Sequence, residues 1–468
     1  MCRALFPAQL PSHVAANARG RIPKEGGGAL PPLGHDILRK AIKRTALTNR
    51  FMNPLDIFAK ALNLPNPWLV TAIELKPTGP DGTDELHIQI DFVRGARFPC
   101  SVDGCGQLCP IHDTEQKTWR HLNFFQYRCY IHARVPRTKC DKHGAKLVDV
   151  PWARPHSGFT LLFEGLALSL ASEMPVDAVA RQLGEHDTRL WRLIDHWVTK
   201  GIDKQDLSNV TAIGIDETSR KGHNYISVAA DLETSTVLYV TKGKDHSVVD
   251  SFSEHLKEKG GNPENIAIAT ADMSAAFSKG IAENFKNAVR VVDKFHVIKL
   301  FTDATDKVRR REAKDKECLK KTRYIWLKNV QNLTEAQLIK FNELSKERLE
   351  TGRAYRMRCA MQDVYKLKDK EDARTAILKL CSWMRHGRVE EMKSVAETIK
   401  DQLEAILAYW DFKYTNALLE GLNSIIQTVK RRARGFRTID HFRTVIMLTC
   451  GKLGLNELCP YPTMKPVA

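Results

Sequence analysis

The chain has 468 residues, enough for two to four domains, and at 43% hydrophobic it can bury a sizeable core. Lys and Arg outnumber Asp and Glu by 72 to 55, a balance that favours a polyanionic partner. No run approaches the ~18 apolar residues of a spanning helix, Glu164 interrupts the most apolar stretch at 159–171, and no signal-peptide core opens the chain, so the expectation is a cytoplasmic protein with no membrane role.

Residues 1–51 hold nine Lys or Arg against two Asp or Glu, with a G-G-G run at 26–28 and five prolines. That composition reads as a disordered basic leader, and Met52 opens a better-patterned segment that is an alternative start. A short amphipathic helix is expected over 53–64, then two strands, W-L-V-T-A-I-E-L and L-H-I-Q-I-D-F. Five of the eleven cysteines follow between Cys100 and Cys140. Clustered thiols in a reducing compartment bind metal more often than they form disulfides. The pairs C-S-V-D-G-C (Cys100, Cys105) and C-D-K-H-G (Cys140, His143), about 35 residues apart, suit one tetrahedral structural Zn2+. Cys109 with His112 is a rival first pair, and Cys129 a further candidate. The zinc-binding domain is placed at 52–157.

A helix-turn-helix is predicted within 158–205. Pro175 opens a helix whose apolar face is Val176, Val179, Ala180 and Leu183. Gly184 suits the tight turn, and Asp187 or Thr188 caps a second helix that buries Leu190, Leu193, Ile194 and Trp197. The second helix of such a unit enters the DNA major groove, and Thr188, Arg189 and Arg192 lie near its N-terminal end. An ordinary helical hairpin has the same pattern.

From 206 to 296 the pattern becomes β-rich. Strands are expected at Thr211–Asp216, Tyr225–Asp231 and Val237–Val240, with the short gaps of an antiparallel meander. A helix (Val248–Lys259), a strand (Ile266–Ala271), a helix (Ala275–Phe285) and a strand (Val289–Asp293) then read as parallel βαβ units. A meander leading into βαβ is the order of an RNase H-like α/β domain. Residues 297–410 are charged and helical, an all-helical insertion, although a separate helical domain would have the same composition; 411–452 return to the catalytic core with its last helix and a basic run, and 453–468 form a tail. The whole is a multidomain α+β chain.

Asp216 and Asp272 each end an apolar strand-like run, and Glu420 sits on a helix. Asn416, Glu420, Asn423 and Gln427 recur every three or four residues, a polar stripe on one face. Leu418, Leu422, Ile425 and Val429 form an apolar stripe for packing on the sheet. Three carboxylates so arranged suit two Mg2+ or Mn2+ ions that activate water against a phosphodiester. Lys430, Arg431, Arg432, Arg434 and Arg437 follow and are candidate phosphate ligands. An Asp at a strand end is more often a cap, and a polar stripe a solvated face; Asp231 and Asp293 also end strands.

Several segments resemble the transposases of the ISL-three insertion-sequence family, within the DDE superfamily. They are F-V-R-G-A-R-F-P-C, T-W-R-H-L-N-F-F-Q-Y, I-H-A-R-V-P-R-T-K-C, G-I-D-E-T-S-R-K-G-H, V-V-D-K-F-H-V and E-G-L-N-S-I-I-Q-T-V-K-R-R-A-R-G-F-R, in family order over about 53–450. The resemblance implies an RNase H-like catalytic domain with a helical insertion before its last acidic residue. It matches Asp216, Asp272 and Glu420 to the DDE triad and Asp293 and His296 to a D-x-x-H element. It also implies that the zinc-binding domain helps recognise transposon ends. One departure is visible, since the chain is a residue shorter between D-E-T-S and R-K-G-H.

The expected function is that of a DNA transposase that binds the terminal inverted repeats of its element and cuts and joins strands at a two-metal site. Double-stranded DNA is the expected partner, at the bacterial nucleoid, with a homo-oligomer assembled on it. A catalytically inactive DNA-binding regulator and a nuclease of the same fold are the alternatives.

Overall fold

The computed structural model describes residues 53–77, 84–221, 224–412, 417–455 and 459. The basic leader, most of the tail and Asn416 lie outside them. So do residues 222 and 223; before them, the strand pairing shifts register between Ser219 and Lys221. A helix, α1 (Pro54–Ala61), belongs to one unit of the chain, and residues 62–468 form another.

The second unit opens with a five-stranded sheet. The two expected strands, β1 (Trp68–Pro77) and β2 (Asp84–Phe92), are present and pair antiparallel. A short pair, β3 (Phe98–Pro99) and β4 (Leu108–Cys109), then precedes a long hairpin of β5 (Ile111–Phe124) and β6 (Tyr127–Cys140). Strand β6 lies parallel to β2, and β7 (Gly144–Leu147) pairs with its far end. The hairpin is absent from the sequence-based expectation. Most of β5 is exposed on both faces, so its alternation is weak. The signal was in β6, where Cys129, Ile131, Ala133 and Val135 recur every second residue and are all at most 1% exposed.

Three helices follow, α2 (Leu161–Glu173), α3 (Val176–Leu183) and α4 (Asp187–Asp203). Gly184 ends α3 at φ 66°, a left-handed position that a side chain disfavours. The residue before α4 is His186, so neither Asp187 nor Thr188 caps it; the Asp187 carboxylate instead accepts from the Thr188 N–H at 2.8 Å. Glu164 is fully buried because three donors satisfy it: Arg154 Nε at 3.0 Å, the Ser157 hydroxyl at 2.5 Å and Trp197 Nε1 of α4 at 2.6 Å.

The second sheet has the order β10-β9-β8-β11-β12. Strands β8 (Ala212–Lys221), β9 (Asn224–Asp231) and β10 (Thr236–Lys242) form the expected meander. Strands β11 (Ile268–Ala271) and β12 (Val289–Val292) join β8 in parallel. Helices α5 (Ser247–Glu258) and α6 (Ala275–Asn284) cover one face, burying Ile213, Ile215 and Ala269. The other face, with Ala212, Val228 and Ile268, shares one core with α2–α4, α14 (Ala417–Arg432) and α15 (Ile439–Cys450). Between the two parts of that core lie α7 (Lys294–Glu312), α8 (Arg323–Leu327), α9 (Glu335–Ser345), α10 (Glu350–Val364), α11 (Lys370–His386), α12 (Glu390–Asp401) and α13 (Leu403–Phe412). Most pack on a separate core built on Phe301, Met357, Ile377, Met392 and Leu407. Among the described residues, no helix is long and apolar enough to cross a membrane.

Candidate nucleic-acid processing site

Strand β8 extends to Lys221, so Asp216 is inside a strand rather than at its end. Its parallel partner stops earlier, however. The last pair is Thr270 with Gly214, which puts Asp216 and Asp272 each two residues beyond it. Side chains alternate along a strand, so Gly214, Asp216 and Thr218 share the face that α14 covers, and Asp272 shares it with Ile268 and Thr270. The Asp272 carboxylate lies close enough for its charge to act on Asp216.

Helix α14 reads that strand residue by residue. Asn423 Nδ2 donates to Asp216 Oδ2 at 2.5 Å, Gln427 Nε2 to Thr218 Oγ1 at 2.5 Å, and Lys430 Nζ to the Ser219 carbonyl. The helix packs through Leu419, Leu422 and Ile426, all at most 6% exposed, whereas Leu418 and Ile425 are exposed. The expected apolar stripe is therefore rotated by about one residue, with Leu422 common to both. A Cβ on Gly214 would collide with Leu419 and Leu232, so the close approach of helix to strand requires glycine there. Gly214→Ala should lower the thermal midpoint through about 1–3 kcal/mol of overpacking; an unchanged midpoint in a thermal melt would contradict that packing.

Helix α7 aims its N-terminus at the same place. Asp293, 7% exposed, caps it by accepting from the Phe295 N–H at 3.1 Å. One turn in, His296 Nε2 lies 4.0 Å from Asp216 Oδ1. Burial pushes the Asp216 carboxyl above the ordinary aspartate range, and the Asp272 charge adds to this, while the Glu217 N–H, His296 and Asn423 pull the other way. Glu420 is exposed, one turn before Asn423, and lines a cleft of about 660 Å³ together with Asp293 and Phe295. Asp216, Asp272 and Glu420 are not drawn into one tight ligand set among the described residues; the cysteine cluster alone meets that condition.

Two further residues were not foreseen. Burial, then Asp272, raises the Glu217 pKa, and its Oε2 is buried with no hydrogen-bond partner. Arg290 on β12 donates to the Asp272 carbonyl at 3.1 Å and to Gln402 Oε1 at 2.5 Å, tying the acidic strand end to the helical region. Arg290 carried no signal of its own in sequence, whereas Glu217 stood directly after Asp216.

The basic run is divided by its contacts. Lys430 is spent on Ser219, and Arg432 donates to the Glu173 carbonyl of α2 at 2.9 Å. Arg431 is exposed. Helix α14 ends at Arg432, and Arg434 adopts φ 54° ahead of Gly435 at φ 96°. Arg434 therefore leaves the helix instead of continuing the Glu420 face. It remains exposed, as does Arg437.

On α4, Thr188 and Arg192 are exposed. Arg189 pairs with Glu185 and stacks 4.3 Å over the Phe159 ring, with 41% of its side chain exposed. In the N-terminal sheet, Cys100, Cys105, Cys140 and His143 place one donor atom each within 4.8 Å of the others. Glycines at positive φ, Gly104, Gly106 and Gly144, turn the chain around them. N–H groups of Lys142 and His143 help hold the Cys140 thiol down at about 6, below its ordinary value. Three sulfurs and an imidazole are the donor set of a structural zinc site. Cys109 adjoins the cluster but donates to the Gln107 carbonyl at 3.3 Å; neither His112 nor Cys129 belongs to it.

The family of ISL3 transposases, described as "Transposase", matches residues 213–446, half of the chain. The chain belongs to the ISL3 transposase family. The helix-turn-helix domain of transposase family ISL3 matches residues 148–198, and the zinc-finger of transposase IS204/IS1001/IS1096/IS1165 matches 99–143. The transposase is 27% identical to the transposase for insertion sequence element IS1557 of Mycobacterium tuberculosis, over 74% of this chain and 84% of the relative. It is 26% identical to the transposase for insertion sequence element IS1001 of Bordetella parapertussis, over 72% of this chain and 86% of the relative. Zinc finger, helix-turn-helix and transposase domain thus follow one another in a DNA-binding transposase.

Proposed function

We propose that this transposase binds the terminal inverted repeats of its element and cuts and joins DNA strands at a site built on Asp216, Asp272 and Glu420. The observation that carries the proposal is the shared position of Asp216 and Asp272 beyond the last β8–β11 pair, under a helix whose Asn423 bonds Asp216 across 207 residues of chain. The sheet order, three antiparallel strands and then two parallel ones, supports an RNase H-like domain with α7–α13 as its insertion.

The donor set fits divalent metal. The oxygens are hard ligands, and Asp216 is raised by burial and by its acidic neighbour. Asp216, Asp272 and Glu420 would hold two Mg2+ or Mn2+ ions, which when bound supply activation of the attacking oxygen and charge stabilisation of the leaving one. Asn423 fixes the Asp216 rotamer by its hydrogen bond. Asp293 holds the start of α7 in place, so that His296 faces Asp216. Arg290 steadies the backbone at Asp272. The attacking groups would be water and then a freed 3′ hydroxyl, without a covalent protein–DNA intermediate. We further propose one structural zinc at Cys100, Cys105, Cys140 and His143, DNA reading by Thr188 and Arg192 of α4, and assembly of several copies on DNA.

A supercoiled plasmid carrying the element's inverted repeats tests the reading. With Mg2+, breaks at the repeat ends and joined products are expected. Cutting without regard to the repeats would indicate a nuclease, and binding with no cutting a regulator.

Arg431 and Arg434 are proposed to hold backbone phosphates. Removing one such phosphate ligand should flatten the slope of log affinity against log salt by about 0.9. Arg431→Ala with Arg434→Ala should weaken binding alike on all duplexes. An unchanged slope would remove these residues from the interface.

A further inference from the structure

The hairpin of β5 and β6 turns through two residues, Phe125 and Gln126, between the pair Phe124 and Tyr127. Two-residue hairpin loops favour Asn, Asp or Gly, because they need positive φ. Phe125 adopts φ 53°, a conformation in which a bulky side chain is strained. Its ring is 78% exposed and meets the 39%-exposed Phe124 ring edge-on at 4.6 Å. A ring left so far in water adds little to folding, and the backbone is held against its local preference to present it. Such a conflict between levels marks a functional position.

The tip is held beside the helix-turn-helix. Arg120 of β5 is 2% exposed and donates to the Cys129 carbonyl at 3.2 Å and the Leu183 carbonyl at 3.5 Å, with its Nε 3.6 Å from Glu185. It therefore joins both hairpin strands to the turn between α3 and α4. The Arg128 guanidinium lies against that turn too, 3.0 Å from where a Cβ on Gly184 would stand. Three residues of strand place Phe125 within about 10 Å of the Arg128 backbone. The end of the hairpin that carries the two rings is thus tied, through Arg120 and Arg128, to the turn that leads into α4.

We propose that Phe124 and Phe125 form an aromatic wedge that stacks on DNA bases at a step flanking the groove read by α4. The inference rests on the reading that α4 binds the element's ends. Continuity with that DNA-binding unit favours DNA as the occupant. Uncharged rings gain from the faces of bases, which every sequence offers, and apolar wedges of this kind unstack base steps.

The test uses the full-length protein and duplexes of the terminal repeat carrying 2-aminopurine at successive positions beside the α4 footprint. Wild type should raise the fluorescence at one step. Phe125→Asn should abolish that rise and weaken binding roughly tenfold, with an unchanged salt slope because no charge is removed. Its thermal midpoint should not fall, since Asn accepts the left-handed position. Arg192→Ala should do the reverse, keeping the rise and flattening the salt slope. If Phe125→Asn binds and fluoresces as wild type does, the wedge is refuted. If it alters only the sedimentation of the free protein, the tip joins copies of the chain and the wedge is likewise refuted. Equal binding of wild type to repeat and random duplex would sink the end-binding reading alone, and the Phe125 comparison is then made on random duplex.

Discussion

Asp216→Asn should leave binding to the repeats intact and reduce strand cleavage by on the order of a thousandfold or more, the scale expected when a group that stabilises transition-state charge is removed. The same change should stabilise the protein in the absence of metal. Asp216 is buried with Asp272 as its neighbour, and its folded pKa is raised. A raised carboxyl favours folding below its ordinary value and loses that contribution as pH climbs through the folded value, so at neutral pH the charge is a cost. Asn removes the cost and keeps the shape. The metal-free variant should melt above wild type, and Mg2+ should then raise the wild-type midpoint but not the variant's. A variant that melts lower than wild type without metal would show that Asp216 is not held under electrostatic strain. Normal cleavage by the variant would place the chemistry elsewhere.

Cys140→Ser should release zinc and unfold the N-terminal sheet around it. Structural zinc contributes about 10–16 kcal/mol in small zinc domains at neutral pH. The β5–β6 hairpin is held at its far end by the cluster, because Cys140 is the last residue of β6 and pairs with Gly144 across the turn that carries His143. The expected results are loss of about one zinc per chain by metal analysis and new protease cuts within 99–147. Retention should also depend on pH. Zinc and protons compete for the Cys140 thiolate, so acid should release the metal, at a pH below the value of about 6 that the metal-free thiol takes. Full zinc in the Cys140→Ser protein would show that the ligands lie elsewhere.

The parts legible in sequence are those fixed by short-range spacing. Cys100, Cys105, Cys140 and His143 could be read because two pairs of soft ligands, each closed by a glycine turn, have few other uses. The helix-turn-helix was readable because a glycine at a left-handed position separates two apolar helical faces. Asp216 and Asp272 were readable because each ends an apolar run of a buried strand, and their register was implied by the βαβ order. The long β5 and β6 strands were missed because water faces much of β5, leaving no alternation to follow.

Tertiary structure alone decided which faces and charges meet. A period of 3.6 residues allowed α14 to pack through Leu418, Leu422 and Ile425 or through Leu419, Leu422 and Ile426. The space above Gly214, which only a residue without a Cβ leaves, selects the second set. That rotation sets Asn423 on Asp216 and directs Lys430 to Ser219. In the basic run the sequence places like charges together, yet Lys430 and Arg432 reach carbonyls of other elements, Ser219 and Glu173, while Arg431 bonds within its own helix, to Gln427 and Thr428, and Arg434 lies exposed beyond it. In α4, likewise, Arg189 pairs with Glu185 while Arg192 is left to solvent. Local sequence determines the elements and the residue types each can offer. Which partner a charge finds depends on residues hundreds of positions away, and the loop entropy of bringing them together is repaid only when the whole core closes.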